Sequence, residues 1–155
     1  MALTLHGTVS DNTVALDRKT ATPLIINGDM AISQRATSVT GVGNGDSGYI
    51  TCDRWRFSEL GSPSGEFTIT QSTDVPTGYG YKTSLKFDVT TADTSMASGD
   101  LFRLEHRTEA QDMKVLNYGT SNAETTTLAF WVKSNKTGNY SFHIRQHDDL
   151  SLIHI

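Results

Sequence analysis

Cysteine, proline and charged residues are all scarce in this chain. Its 155 residues include one cysteine and three prolines, and charged residues make up 19%. A single thiol, Cys52, cannot form an internal disulfide or a cysteine-rich zinc site, so neither device holds this fold together. The sequence therefore predicts that Cys52 is a small buried side chain without a redox role.

Long apolar runs and blocks of basic residues are also missing. No run approaches the roughly 20 residues of a membrane span, and the first residues do not read as a secretory signal. The formal net charge is −4, which argues against a general surface that neutralises nucleic-acid phosphates. We therefore expect neither a membrane nor a nucleic acid among the partners.

What the chain does contain is a series of short segments in which apolar and polar residues alternate. Alternation with a period of two indicates strands with one buried and one wet face. The sequence thus predicts an all-β fold, with an antiparallel two-sheet β-sandwich as its architecture. The predicted strands are 24–26, 30–35, 49–60, 66–72, 84–90, 101–108, 125–133 and 139–147. The predicted core residues are Leu85, Phe87, Val89, Phe130, Val132, Phe142 and Ile144, joined by Trp55.

Other segments depart from this pattern. The glycine-rich stretch 40–48 predicts a flexible loop, and 109–116 favours a short helix that stops near Gly119. We expect 1–22 to be a leader, short hairpin or linker, and 23–149 to be the sandwich. Residues 150–155 resemble a translated sequencing-adapter fragment, so we expect a non-native tail and a domain truncated at its C-terminal side.

Four motifs follow one another in the sandwich region. They are LIINGDM with SQR (24–30, 33–35), DRWR (53–56), SLKFDV with TADTS (84–89, 91–95), and FWVKS with KTG (130–134, 136–138). The ordered set resembles the β-jelly-roll domains of bacteriophage and marine-virus tail and appendage proteins. That group is in turn similar to carbohydrate-binding modules of the cellulose-binding-C type.

The resemblance implies a non-catalytic, tail-fibre-like module of a virion that binds host-surface glycans. It implies other virion proteins as partners, is compatible with a homotrimer of the full-length protein, and places the module outside the cell without a signal peptide. Two alternatives stay open: a purely structural virion module, and an accessory carbohydrate-binding module of a secreted bacterial polysaccharide-degrading enzyme. No nucleophile elbow, phosphate-binding loop or metal-ligand motif points to an enzyme.

The phase of the alternation suggests a ligand surface. If the later strands are neighbours in one sheet, their outward faces bring together Trp131, Arg103, Glu105, His143 and Arg145. A pyranose ring can stack on tryptophan while charged groups bind its hydroxyls. The competing interpretation is a solvated outer face, with Trp131 covered by a loop or a neighbouring subunit.

Metal binding is a weaker expectation. Asn27 and Asp29 could give oxygens to a structural calcium ion, although calcium takes six to eight ligands and an Asn-Gly turn explains the same residues. No other cofactor is expected. Glu105 and Glu109 could in principle form a glycosidase pair, but the charged surroundings favour salt-bridge roles for both.

Overall fold

The computed structural model describes residues 23–145, so the expectations for 1–22 and 146–155 lie outside the described residues. The described chain forms the strands β1 (Ser38–Gly43), β2 (Ser47–Gly48), β3 (Trp55–Leu60), β4 (Glu66–Ser72), β5 (Ser84–Thr91) and β6 (Leu101–His106), and a 3₁₀ helix (Asp112–Leu116). The strands make two antiparallel sheets, ordered β1-β4-β5 and β2-β3-β6. The prediction of an all-β, two-sheet sandwich is confirmed.

The two sheets face each other across a cluster of phenylalanine rings. The Phe57 ring of β3 lies 5.9 Å from Phe67 of β4 and 6.3 Å from Phe102 of β6. Phe67 and Phe102 meet edge to face at 4.8 Å. Val42, Phe57 and Ile69 are each 2% exposed and form the centre of this core. Burying one such side chain contributes about 1.5–3 kcal/mol, so these contacts hold the layers together.

A β-bulge in β1 lets two valines face the same core. Val39 pairs with Ile69 and Val42 pairs with Phe67, and the register shifts between them. Two residues three positions apart would point to opposite faces of a regular strand, and one inserted residue corrects the phase. Gly41 has a φ of 67°, a left-handed conformation that glycine adopts without strain.

The prediction of a flexible loop at 40–48 is wrong. The stretch contains part of β1, all of β2, and a tight turn that carries the chain from one sheet to the other. Asp46 closes the turn, because its amide donates to the Gly43 carbonyl (3.1 Å) and its carboxylate accepts from the Gly43 amide (3.2 Å). A Cβ on Gly43 would lie 2.2 Å from the Gly65 carbonyl oxygen, so the close approach requires glycine.

Other boundaries differ in detail. The strands predicted at 66–72, 84–90 and 101–108 correspond to β4, β5 and β6. Of the strand predicted at 49–60, only β3 forms, and 24–35 is built of turns and bends rather than strands. The predicted helix at 109–116 is a 3₁₀ helix, ended by Asn117 with a φ of 47°.

The predictions for 125–133 and 139–147 are wrong as far as these segments are described. Residues 123–145 form no strand, and Phe130, Val132, Phe142 and Ile144 are exposed, Phe130 by 65%. Alternation shows that a segment can bury one face, but burial also needs a second apolar layer and a backbone partner. Within 23–145 these residues have neither.

The remaining core predictions divide between correct and incorrect. Leu85 and Phe87 are partly buried against the core, and Trp55 is half-buried on the same side of β3 as Phe57. Val89 lies on the predicted face, opposite Phe67, but it is 58% exposed. Leu85 and Phe87 of the same strand pack against the core, and Val89 lies beyond them towards the end of β5. Cys52 is fully buried, as predicted, and burial raises the pKa of its thiol.

Candidate functional site

The structure brings together two of the five predicted sugar-binding residues. Arg103 and Glu105 share the outward face of β6, and Arg103 Nε lies 2.5 Å from Glu105 Oε1. Trp131 is exposed elsewhere, with its ring centroid 4.4 Å from that of Tyr79. His143 and Arg145 are exposed. These residues are separated because 123–145 forms no strand beside β6. The alternation of side chains along 123–145 therefore does not place them on the outward face of that sheet.

Asn27 connects two segments that are distant in sequence. Its side-chain amide donates to the carbonyls of Ile32 (2.9 Å) and Asp53 (2.8 Å), and its Oδ1 accepts from the Ile32 amide (2.9 Å). The Asn27 carbonyl also accepts from the Trp55 indole at 2.9 Å. Its φ of 56° is one that asparagine tolerates better than most residues. These contacts give Asn27 a structural role.

The calcium site stays a prediction. The Asn27 side chain is engaged with the backbone, and Asp29 Oδ1 accepts from the Ala31 amide at 3.4 Å. Within residues 23–145 no group of three or more histidine, cysteine, aspartate or glutamate side chains is placed to hold a metal ion.

Two of the sequence motifs meet because of the contacts of Asn27. The Asp53 amide donates to the Ile32 carbonyl at 3.0 Å, and the thiol of buried Cys52 donates to the Met30 carbonyl at 3.7 Å. The SQR motif at 33–35 therefore lies against the DRWR motif at 53–56. Together with Tyr49 they form a surface concavity of about 330 Å³, the polar depression, lined by Gln34, Arg35, Tyr49, Asp53 and Arg54.

The polar depression combines an aromatic face with groups that donate and accept hydrogen bonds. The Arg35 guanidinium lies 5.6 Å from the centre of the Tyr49 ring, at cation–π distance. Asp53 Oδ1 is 3.4 Å from both Arg35 Nη1 and the Gln34 amide. Both described hydrogen bonds of the Asp53 carboxylate end on Oδ1, and within 23–145 none ends on Oδ2.

Arg54 reaches the depression through an unusual backbone conformation. Its φ is 71°, in the left-handed region that costs a residue with a Cβ about 1–2 kcal/mol. The conformation is held from both sides of the residue. The Trp55 amide donates to the Cys52 carbonyl at 3.3 Å, and Arg54 Nη2 donates to the Arg107 carbonyl at 3.2 Å. Its Nη1 lies 3.6 Å from Glu109.

A second group of charges, the arginine cluster, lies on the outward face of the β2-β3-β6 sheet. It consists of Arg56, Arg103 and Arg107 around Glu105. Glu105 Oε2 is 3.1 Å from both Arg56 Nη1 and Arg107 Nη2. The antiparallel register places Arg56 directly opposite Glu105. The salt-bridge role that the sequence favours for Glu105 is confirmed.

Glu105 is held in its ionised form. Burial alone would raise the pKa of its carboxyl, but the Arg103 charge and the hydrogen bonds from Arg107 and Arg56 outweigh it, so the pKa is lowered. A carboxylate with three cationic neighbours stabilises all three against their mutual repulsion. Glu105 therefore organises the cluster.

Trp131 belongs to a third surface, the aromatic cleft. Tyr81, Ala129, Phe130 and Trp131 line a concavity of about 250 Å³. Beside it, Lys133 Nζ pairs with Asp74 at 2.7 Å. The cleft has more apolar character than the depression and fewer groups that could recognise sugar hydroxyls.

The sequence did not identify the polar depression, although it contained a signal. The SQR and DRWR motifs follow one another along the chain, but their loops show no periodicity from which a contact between them could be predicted.

No helix among residues 23–145 is long and apolar enough to cross a membrane. Comparison with known proteins finds no matching family model, curated protein or solved structure.

Proposed function

We propose that this chain is a non-catalytic β-sandwich module of a virion appendage, and that it binds host-surface glycans through the polar depression. One observation carries the proposal. The SQR and DRWR motifs, on which the resemblance to appendage domains rests, line the same concavity. An exposed aromatic ring and hydrogen-bonding groups of both kinds lie together there.

The chemistry of the depression suits a sugar. The apolar face of a pyranose stacks on an aromatic ring, here Tyr49. The vicinal hydroxyls of the sugar can accept from the guanidiniums of Arg35 and Arg54 and donate to Asp53 Oδ2. A shallow site of this kind gives weak binding, which display of several copies on one appendage would amplify.

The carboxylates of the arginine cluster and its neighbourhood support a non-catalytic role. A glycosidase needs one carboxyl group whose pKa is raised so that it can act as a general acid near neutral pH. The pKa of Glu105 is lowered instead, and Glu109 is paired with Arg54.

One observation favours a purely structural virion module as the second candidate. Large apolar side chains are exposed along 128–144, including Phe130 and Phe142, whose ring centroids are 6.3 Å apart. Exposed apolar patches commonly mark surfaces that pack against another protein. In that case the chain would act through protein contacts rather than through sugar.

The test compares two tyrosine variants on a glycan array, with each protein displayed as a multivalent conjugate. Tyr49→Ala removes the stacking face of the depression, and we expect about ten-fold weaker binding, equivalent to about 1.4 kcal/mol. Tyr79→Ala is the matched control, because Tyr79 is also exposed but lies against Trp131 of the aromatic cleft.

Three results would contradict the proposal in different ways. If Tyr49→Ala binds like the unmodified chain while circular dichroism shows it folded, the depression is not the site. Loss of binding in Tyr79→Ala alone would move the site to the aromatic cleft. If the unmodified chain binds no glycan, the structural candidate replaces the proposal.

A further inference from the structure

The arginines of this chain are concentrated around one region. Of the seven arginines in the sequence, two line the polar depression and three form the arginine cluster. The hydrogen bond from Arg54 Nη2 to the Arg107 carbonyl joins the two groups, because Arg54 lines the depression and the Arg107 side chain belongs to the cluster. The five guanidiniums thus form one connected surface.

This surface carries an excess of positive charge. Its ion-pair partners are Asp53 with Arg35, Glu109 with Arg54, and Glu105 with the cluster. Five guanidiniums against three carboxylates leave two positive charges, although the whole chain has a formal charge of −4. Segregation of positive charge on an acidic protein attracts an anionic ligand to that place.

The cluster also keeps hydrogen-bond donors free for such a ligand. Each guanidinium carries five N–H donors. In the cluster, the described contacts of these donors are with Glu105, with Ser47 (Arg56 Nη2, 2.7 Å) and with Ser58 (Arg103 Nη2, 3.4 Å). Most of the donors are therefore left for solvent or a ligand.

The cluster is partly open to solvent, and its described ion pairs involve no acid other than Glu105. Arg107 is the most exposed of the three, with 44% of its side chain accessible. Both oxygens of Glu105 are already occupied by arginines. Glu105, which the sequence pattern places at the sugar-binding surface, is thus engaged with the guanidiniums that it positions.

We propose that the arginine cluster extends the glycan site and selects acidic glycans, whose carboxylate or sulfate groups bind between Arg107 and Arg103. This inference rests on the proposed function and adds the class of ligand. Guanidinium groups bind such oxyanions through two parallel N–H donors, a geometry that lysine cannot reproduce. A sugar ring on Tyr49 would present its acidic neighbour in the chain to the cluster.

The experiment measures binding of the purified full chain to matched pairs of glycans by calorimetry. Oligogalacturonate is compared with its methyl ester, and dextran sulfate with dextran, so that each pair differs in charge and not in sugar. We expect the chain to bind the acidic member of at least one pair, and to bind its neutral counterpart about ten-fold more weakly or not at all. Added salt should weaken binding of the acidic member. The two pairs separate carboxylate from sulfate recognition.

Arg107→Gln tests the cluster itself. Losing one charge-assisted hydrogen bond should weaken binding of the acidic glycan about ten-fold. Because Arg107 is well exposed, its replacement should leave the sheets intact, which circular dichroism checks. Lys86→Gln is the control, since Lys86 is an exposed cation on β5, in the other sheet, paired with Asp88. It should bind like the unmodified chain.

The outcomes distinguish failure of this inference from failure of the proposed function. Equal binding of charged and neutral members, or unchanged binding by Arg107→Gln, would overturn acidic selectivity while the glycan site remained. If duplex DNA bound as tightly as the acidic glycan, the surface would be a general polyanion site and the inference would be wrong. Absence of binding to every glycan on the array would overturn both.

Discussion

Replacing Asn27 by alanine should destabilise the fold and disrupt the polar depression together. The variant loses two donated and one accepted hydrogen bond to the backbone around Ile32 and Asp53. Each contributes about 0.5–1.5 kcal/mol, and since two of them border solvent we take values near the lower end, about 2 kcal/mol in total. Alanine at a φ of 56° costs about 1 kcal/mol more.

The expected loss in the free energy of unfolding is therefore about 3 kcal/mol for Asn27→Ala, from the hydrogen bonds and the backbone conformation. Equilibrium urea unfolding measures it. Asn27→Gly is the matched control, because glycine adopts the same backbone conformation without strain but lacks the amide. We expect the glycine variant to be more stable than the alanine variant by about 1 kcal/mol.

A loss below about 1 kcal/mol in Asn27→Ala would refute this reasoning, because it would mean that solvent replaces the three contacts. Equal stability of the alanine and glycine variants would refute only the conformational part. If the unmodified chain binds glycan and a folded Asn27→Ala variant does not, the contacts of Asn27 with the Ile32 and Asp53 backbone also maintain the shape of the depression.

Three further predictions concern the core and the titratable groups. Phe57→Ala should cost about 3–5 kcal/mol in urea unfolding, whereas Phe130→Ala should cost less than about 1 kcal/mol because Phe130 is exposed; a large loss for Phe130→Ala would mean that this ring is buried in solution. Burial and the Arg54 charge lower the pKa of His106 despite its hydrogen bond to Ile26, so the stability contributed by the neutral ring is complete above its ordinary pKa of 6.5 and is lost as the pH falls toward the lowered value. Stability should therefore decline as the pH falls below the ordinary histidine pKa of 6.5, and a His106→Gln variant with the same decline would contradict this assignment. The pKa of Glu105 is also lowered, so its contribution to the free energy of unfolding is complete above its ordinary pKa of 4.5 and is lost in more acidic solution. Glu105→Gln should remove part of that acid sensitivity. Unfolding curves that respond to acid identically in both proteins would argue against this role.

The part of the fold that the sequence predicts is the part with regular alternation. β4, β5 and β6 follow from it, since they turn apolar side chains such as Ile69, Phe87 and Phe102 to the core. β1 was missed because its bulge at Gly41 breaks the period and its glycines look like a loop. The segment around Phe130 was predicted wrongly for the opposite reason, since its alternation is regular but no apolar layer covers it within 23–145.

The candidate site divides along the same physical line. Arg103 and Glu105 could be placed together because side chains two apart on a strand share a face. Trp131 could not be placed relative to them, because phase within a strand carries no information about which strands are neighbours. The polar depression depends on long-range hydrogen bonds such as that from Asn27 to the Asp53 carbonyl, and no local pattern encodes such a contact.

The most direct test of the central claim, that the polar depression is the glycan site, uses the two tryptophan indoles as NMR probes. The Trp55 indole N–H donates to the carbonyl of Asn27, whose side chain binds the Asp53 carbonyl of the depression, whereas the Trp131 ring lies exposed beside Tyr79. The chain is titrated with the tightest-binding glycan from the array. We predict that the Trp55 indole resonance and the backbone amides of 33–35 and 49–54 shift, while the Trp131 indole resonance does not. Shifts concentrated at the Trp131 indole, with those of Trp55 and 49–54 unchanged, would contradict the account.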